Sequence, residues 1–341
     1  MNIHLYDDDE RQFTDSKSYP TNHGPFSHIS IELNKALKKL NYYSDPDAAD
    51  WVGFNTGLNL TFRYKNKKPF IITVWEVENC LPIQLLRMYY GQKIFGLSNQ
   101  ITKLWNKYNI PAQTIYPGCD TNFWKQTLAK NEIFTFLHVN SSNVRSGIDL
   151  TLQAFHNAFC NNKNVKLVIK DTNNSEILNK KIAELKNLGS NIEYISQRMH
   201  NYQIRDLYSS SHVCLNLIRM TSFGLPLLEC SACNCLCLTG DVEPTNEIIK
   251  ENTGILLKPS NLIPLYPKIQ ELEKDYGLMN CYPNFQYPET PLFYDFNIEE
   301  YTELLKNIFN NWQKYSIIDT RTPIVNDWTW DKSAKILLSN L

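Results

Sequence analysis

Residues 221–234, TSFGLPLLECSACN, gather in one short span the groups that could hold a phosphorylated ligand. The span lies between two short apolar runs, 213–218 and 235–238, so it reads as strand, tight glycine turn, short helix, strand. Gly224 lets the backbone pass close to a ligand just ahead of the helix. Pro226 suits the first turn of a helix, where its missing N–H costs nothing and its fixed φ helps. Asn234 suits the left-handed stop after the last helical residue. The N–H groups at such a helix start favour an anion, and a diphosphate fits them. Glu229 comes one turn in, where a carboxylate can accept hydrogen bonds from vicinal hydroxyls such as those of a ribose. Glycine turn, anion-binding helix start and carboxylate together point to a nucleotide.

Such a site needs a sheet to carry it, and the chain alternates strand-like and helix-like stretches. Strands are expected at 2–6, 51–54, 70–75, 93–97 and 113–116, and then at 133–139, 165–170, 192–195, 213–217, 235–239 and 254–257. After a loop reaching Gly24, a helix carries Ile29, Leu33, Ala36, Leu37 and Leu40 on one stripe; Ile148, Leu152, Phe155 and Phe159 mark another. Repeated strand–helix alternation implies α/β architecture, a parallel sheet wrapped by helices, built twice. Two such domains would face a central cleft, where doubly wound sheets bind ligands.

Composition agrees with two ordinary domains. The chain has 341 residues, 43% apolar and 20% charged, enough for two buried cores. Its net charge of −1 argues against sequence-independent nucleic-acid binding, which needs a basic surplus. No apolar run approaches the roughly 20 residues that span a bilayer. The start, MNIHLYDDDE, reads as a strand followed by acids rather than a signal peptide, so a cytoplasmic location is expected.

Four of the nine cysteines crowd together as Cys230, Cys233, Cys235 and Cys237. A zinc or redox cluster is one reading. No second pair with zinc-finger spacing and no His pair completes a site, so buried, reduced cysteines acting as small apolar residues are expected.

Together with the apolar run after it, the 221–234 segment resembles the donor-site signature of GT-B glycosyltransferases, specifically the retaining glycosyltransferase family 4 type, or glycosyl transferases group 1. That pattern is Glu, seven residues, Glu around a Gly-Phe-Gly-Leu-Pro turn. Phe223, Gly224, Leu225, Pro226 and the second glutamate, Glu229, match; Thr221 stands at the first glutamate and Ser222 at the first glycine. Other stretches fall in the family's order. Residues 94–124 resemble the last N-domain strand, helix and joining segment, with Ser98 after the strand. Residues 134–155 resemble the first donor-domain strand, loop and helix. LVIKD ends at Lys170 and Asp171, VWEVENCLP covers 74–82, and DWTWDKSAKIL covers 327–337, like the helix that returns to the N-domain.

The resemblance implies a GT-B fold of two Rossmann-like domains, 1–128 with a returning C-terminal helix at about 325–341, and 129–324 for the donor. It implies transfer of a sugar from a nucleoside-diphosphate sugar to a glycan, lipid or small-molecule acceptor with retention of anomeric configuration, and no cofactor or metal. Glu229 would bind the ribose, and Thr221, Ser222, Phe223, Gly224, Leu225, Pro226 and Leu227 would line the donor. Family members grip the diphosphate with an Arg and a Lys; Asn140 and Ser146 stand at those places. Arg145, Lys170 or both would then supply the charge. Glu76 is the candidate catalytic carboxylate, positioned to orient or deprotonate the acceptor. Gly24, Trp75 and Ser98 belong with it on the acceptor side.

Alternatives remain at this level. The missing first glutamate and missing cations suit a catalytically weak relative that serves as a sugar-nucleotide or glycan-binding partner subunit. A GT-B epimerase lacks support from an obvious set of acid and base carboxylates. The acidic groups Asp7, Asp8, Asp9, Asp45 and Asp47 would suit a metal-dependent GT-A enzyme, but that fold leaves the second strand–helix set unexplained. The basic residues Arg63, Lys65, Lys67 and Lys68 read either as an exposed turn or as a peripheral membrane contact, if the acceptor is lipid-linked.

Overall fold

The computed structural model describes residues 1–6, 25–55, 67–73, 91–278 and 291–341. The chain divides into two compact units, residues 1–120 with 327–341 and residues 121–326.

The first unit holds β1 (Ile3–Tyr6), α1 (Pro25–Lys39), β2 (Trp51–Asn55), β3 (Lys68–Thr73), β4 (Lys93–Gly96), α2 (Asn99–Lys107) and β5 (Ala112–Thr114). Its five strands lie side by side in chain order, every pair parallel. A parallel sheet is covered on both faces, which is why Ile3, Leu5, Phe70, Ile71, Ile72 and Phe95 are all shut away from water. The expected α1 stripe is real: Ile29, Leu33, Ala36 and Leu37 are buried, and Leu40, just past the helix, is half-buried.

The second unit continues with β6 (Phe134–Val139), α3 (Ile148–Phe159), β7 (Val165–Lys170), α4 (Glu176–Asn187), β8 (Ile192–Ile195), α5 (Asn201–Ser210) and β9 (Val213–Asn216). Next along the chain are α6 (Leu225–Ala232), β10 (Leu236–Gly240), α7 (Thr245–Ile248) and β11 (Ile255–Leu257). An antiparallel ribbon, β12 (Asn261–Pro264) with β13 (Leu292–Asp295), flanks α8 (Leu265–Tyr276). Then come α9 (Ile298–Asn310), α10 (Trp312–Tyr315) and α11 (Arg321–Asp327). The last helix, α12 (Trp330–Asn340), packs on α1 of the first unit, where Lys39 pairs with Asp331. Both sheets are parallel α/β sheets of the Rossmann kind.

Strand order in the second sheet is β11-β10-β9-β6-β7-β8, with every pair parallel. Chain order runs outward from β6 through β7 to β8, then restarts at β9 on the other side of β6. The reversal makes the β6/β9 boundary the topological switch point, where the loops leaving two neighbouring strands diverge and leave a crevice at their carboxyl ends. The loop after β6 is 140–147, and the loop after β9 is 217–224. The 221–234 signature is therefore placed by topology at the position where doubly wound sheets receive ligands.

Candidate functional site

The loop after β6 folds on itself. Asn140 donates its N–H to the Lys170 carbonyl at 3.1 Å, and its Oδ1 accepts from the Ser141 N–H at 2.9 Å. Asn143 turns the chain: its Oδ1 accepts from the Arg145 N–H at 3.0 Å and its carbonyl accepts from Ser146 Oγ at 2.8 Å. Asn140 and Ser146 thus shape the loop with short polar side chains. Asp171 anchors the loop from the end of β7. It accepts from the N–H groups of Ser142 at 2.7 Å, Thr172 at 2.6 Å and Asn173 at 3.1 Å, and from the Tyr194 hydroxyl at 2.8 Å. Burial pushes its pKa up, but these donors outweigh burial and hold the carboxyl below its usual range.

Gly147 ends the loop at φ 66°, in the left-handed region, immediately before α3. A Cβ there would lie 2.0 Å from the Leu217 carbonyl oxygen. The two loops therefore touch backbone to backbone, a contact only glycine permits. The Arg219 N–H donates to the Arg145 carbonyl at 2.8 Å, which fastens them a second time.

In the second loop Phe223 is buried, Ser222 nearly so, and Thr221 half-buried. Gly224, at φ 112° and ψ 53°, caps the start of α6, and its carbonyl accepts from the Leu227 N–H at 2.9 Å. Pro226 falls in the first turn, as its missing N–H requires. Asn234 takes φ 54° after the helix, the left-handed stop its position predicts. The far end of α6 is tied down by Thr320 Oγ1, donating to the Ser231 carbonyl at 3.0 Å, and by the Arg321 guanidinium on the Ala232 carbonyl. A cation at that end suits the helix dipole and leaves the N-terminal end as the electropositive one.

Glu229 is half-buried on α6. Burial pushes its carboxyl up to about 7, and the neighbouring Tyr208 hydroxyl draws it back only partly. Glu229 is thus a carboxyl with one charge-stabilising neighbour, one turn inside the helix that starts at the switch-point loop. Lys170 ends β7 almost fully buried, its Nζ donating to the Asp171 carbonyl at 2.7 Å. Burial lowers its pKa against the pull of Asp171. Arg145 is half-buried in the first loop.

Glu229, residues 221–227, Asn140 and Arg145 thus belong to the two loops and the helix start at the switch point, with Lys170 at the neighbouring strand end. Ser98 belongs to the first unit and caps α2, its Oγ accepting from the Ile101 N–H at 3.4 Å. Gly24, Trp75 and Glu76 lie outside the described residues, as do Arg63 and Lys65. Lys67 donates to the Asp47 carbonyl at 2.6 Å, and Lys68 lies over the Trp51 ring at 5.4 Å. Seven cysteines are described, all free, with Cys230, Cys233, Cys235 and Cys237 buried. Among the described residues no group of three or more His, Cys, Asp or Glu could hold a metal ion. None of the described helices is long and apolar enough to cross a membrane.

Sequence reasoning missed Asp149, Arg219 and Asp295. Arg219, buried in full, holds Asp149 bidentately at 2.7 and 2.6 Å and reaches Asp295 at 3.3 Å. A charged residue directly after the apolar run 213–218 was the available signal.

No curated protein matches the chain in sequence. Solved structures do match it in fold. Staphylococcus aureus TarM superposes with TM-score 0.61 at 12% identity, over 91% of this chain and 57% of that one. The pneumococcal O-GlcNAc transferase GtfA, solved with UDP and GlcNAc, gives 0.59 at 12% identity, over 92% and 60%. Anabaena HepE with UDP-glucose gives 0.61 at 13% identity, over 93% and 84%. The chain thus spans less than two thirds of the length of the first two. These superpositions identify the fold as GT-B, two Rossmann-like domains of parallel sheet. Residues 120–283, which include both loops and α6, match the family model described as Glycosyl transferases group 1.

Proposed function

We propose that this chain is a glycosyltransferase that takes a sugar from a nucleoside-diphosphate sugar and delivers it to a glycan, lipid or small-molecule acceptor, with retention at the anomeric carbon and without a metal. The observation that carries the reading is the meeting of the 140–147 loop, the Gly224 turn and Glu229 at the switch point of the second sheet. Glu229 would accept hydrogen bonds from ribose hydroxyls, while the start of α6 would face the diphosphate. Arg145 and Lys170 would supply positive charge as the leaving diphosphate gains negative charge. Glu76 would orient the acceptor. UDP-glucose bound to HepE and UDP bound to GtfA make uridine nucleotides the first donors to test. Residues 120–283 matching the group 1 family support the same class. The chemistry is proposed for the cytoplasm, with a lipid-linked acceptor as the reason for any peripheral membrane contact. Titrating the protein with a panel of nucleotide sugars, by thermal shift and calorimetry, tests the reading; no response to any nucleotide sugar or nucleoside diphosphate overturns it.

A second reading comes from three positions: a catalytically weak GT-B relative that binds a sugar nucleotide or glycan as a partner subunit. Thr221 replaces the family's first glutamate, and Asn140 and Ser146 are turned onto their own loop where the family has cations. Thr221→Glu separates the two. If the wild type is limited by this position, the variant turns over faster with little change in donor affinity, because contacts made only in the transition state raise kcat. Donor binding without transfer or hydrolysis in both proteins identifies the partner subunit.

A further inference from the structure

Arg219 is among the largest side chains sealed in the protein, and it is charged. Its guanidinium forks onto Asp149 in the first turn of α3 and reaches Asp295 at the end of β13. Its Cζ lies over the Phe293 ring, 5.9 Å from the centroid. Its main chain is engaged too: the N–H donates to Arg145 in the 140–147 loop, and the carbonyl accepts from the Tyr294 N–H at 3.3 Å. One residue therefore joins the 217–224 loop, the 140–147 loop, the start of α3 and the β12–β13 ribbon.

Stability alone does not account for a buried charge of this kind. Desolvating a guanidinium and carboxylates is expensive, and apolar residues of similar volume often serve the fold as well or better. The ionic group has two consequences that an apolar one lacks. The planar fork fixes Arg219 in direction as well as distance, so the two loops are held in one register beyond the Gly147–Leu217 contact. It also neutralises Asp149, whose carboxylate stands in the first turn of the helix that leaves the 140–147 loop. Left alone, that charge would repel an anion approaching the loop.

We propose that Arg219 is a positioning residue of the donor site, one that locks the 140–147 and 217–224 loops together and cancels the Asp149 charge so that the pair can receive a nucleoside diphosphate. The proposal rests on the donor-site reading and adds a residue that does not itself touch the ligand.

The experiment uses the full chain and two variants, Arg219→Lys and the paired change Arg219→Met with Asp149→Leu. Hydrogen exchange is followed at residues 142–147 and 219–224, and calorimetry compares UDP with uridine. The paired variant removes the Arg219–Asp149 pair together and leaves only the partly exposed Asp295 without its guanidinium, so its melting temperature should fall little. Both loops should nevertheless exchange faster together, and UDP affinity should fall about tenfold, because the diphosphate would meet loops no longer held in one arrangement, with uridine affinity nearly unchanged. Arg219→Lys keeps the charge without the fork and should recover part of the UDP affinity. If the paired variant does not fold, Asp295→Asn, which leaves the Asp149 fork intact, takes its place and should loosen both loops to a smaller extent. Loops that exchange as in the wild type in a folded variant overturn the proposal, and so does an equal loss for UDP and uridine. A wild type that binds neither UDP, GDP nor ADP sinks the donor-site reading instead, and the exchange data still decide whether Arg219 makes the two loops move as one.

Discussion

A carboxyl at about 7 makes Glu229 a group whose charge changes in the physiological range. Ribose hydroxyls donate hydrogen bonds, so the ionised form is the better acceptor. Below pH 7 the free protein holds Glu229 protonated, and donor affinity should weaken as the pH falls through that value and level off above it. A nucleotide sugar is the right probe because its diphosphate, esterified at both ends, loses no proton near neutrality. In Glu229→Gln this pH dependence should vanish, and affinity at pH 8 should fall about tenfold to a hundredfold, matching contacts of roughly 1.5–3 kcal/mol. Contacts to the ribose are remote from the breaking bond, so kcat should change less than the apparent affinity. Wild-type affinity in a folded Glu229→Gln protein would mean that the carboxyl serves only its own domain beside Tyr208. The place of Glu229 one turn inside a helix was readable from sequence because Gly224 and Pro226 set that helix start locally. Arg219 and its partners were not, because Asp149 and Asp295 lie 70 and 76 residues away and no local pattern reports such a pairing.

Among the elements, the strands of both parallel sheets were legible as apolar runs, since burial on both faces leaves a continuous signal. The β12–β13 ribbon was not. Strand β12, NLIP, is short, largely exposed and ends in proline, and its partner comes a helix later. The helix start at Gly224 and the stop at Asn234 were legible because φ preference is a local property. The contact of Gly147 with Leu217 is non-local, and it yields a sharp expectation. Gly147→Ala would place a methyl against the Leu217 carbonyl in a left-handed backbone, so one loop must move. The backbone term alone is about 1–2 kcal/mol and the forced separation adds to it, so urea unfolding should show a loss of at least about 2 kcal/mol. Donor binding should fall further than stability predicts, since both loops lose their register. A variant with unchanged stability and binding would show that the loops need no such contact.

Strand β6 and its surroundings also carry a pH signature. Burial lowers both His138 and His212 to about 4, with Lys130 adding to the effect at His212. His212 Nδ1 accepts from the Thr135 N–H at 3.1 Å, which requires an unprotonated nitrogen. Unfolded histidines titrate near 6.5, so between about 6.5 and 4 the unfolded chain binds more protons at these sites and stability falls as pH falls. Glu229 works in the opposite sense: its folded value lies above the unfolded one, so it favours the folded state as pH drops from about 7 toward 4.5. Burial lowers His28 as well, so the histidines together outweigh Glu229 and stability should fall as pH falls through the overlapping window. His212→Asn keeps an acceptor at the Nδ1 position for the Thr135 N–H and should flatten that slope when urea midpoints are compared between pH 7 and pH 5. An unchanged slope would remove His212 from the explanation.

At the scale of the whole molecule, the question is whether a chain with GT-B fold and Thr221 in place of a glutamate completes a reaction. Its length suffices for both Rossmann-like units, and residues of the donor reading all fall in the second, 121–326. Retention is the most informative product of that reaction. An inverting enzyme needs a base on the face of the sugar opposite the leaving group, whereas front-face transfer lets the departing diphosphate help take the acceptor's proton. The second mode asks of the protein chiefly that it grip the diphosphate, which is what two locked loops and a helix start can do. The expected outcome is therefore a first-formed product with the donor's own anomeric configuration, read from the anomeric proton coupling before any mutarotation. The inverted anomer would overturn front-face transfer and redirect attention to a carboxylate such as Glu76 as base. Release of free sugar in the donor's configuration without acceptor would show the bond-breaking step intact and the acceptor still to be found. Tight donor binding with neither transfer nor release, in the wild type and in Thr221→Glu alike, would make the chain a binding subunit whose donor loops outlasted its catalysis.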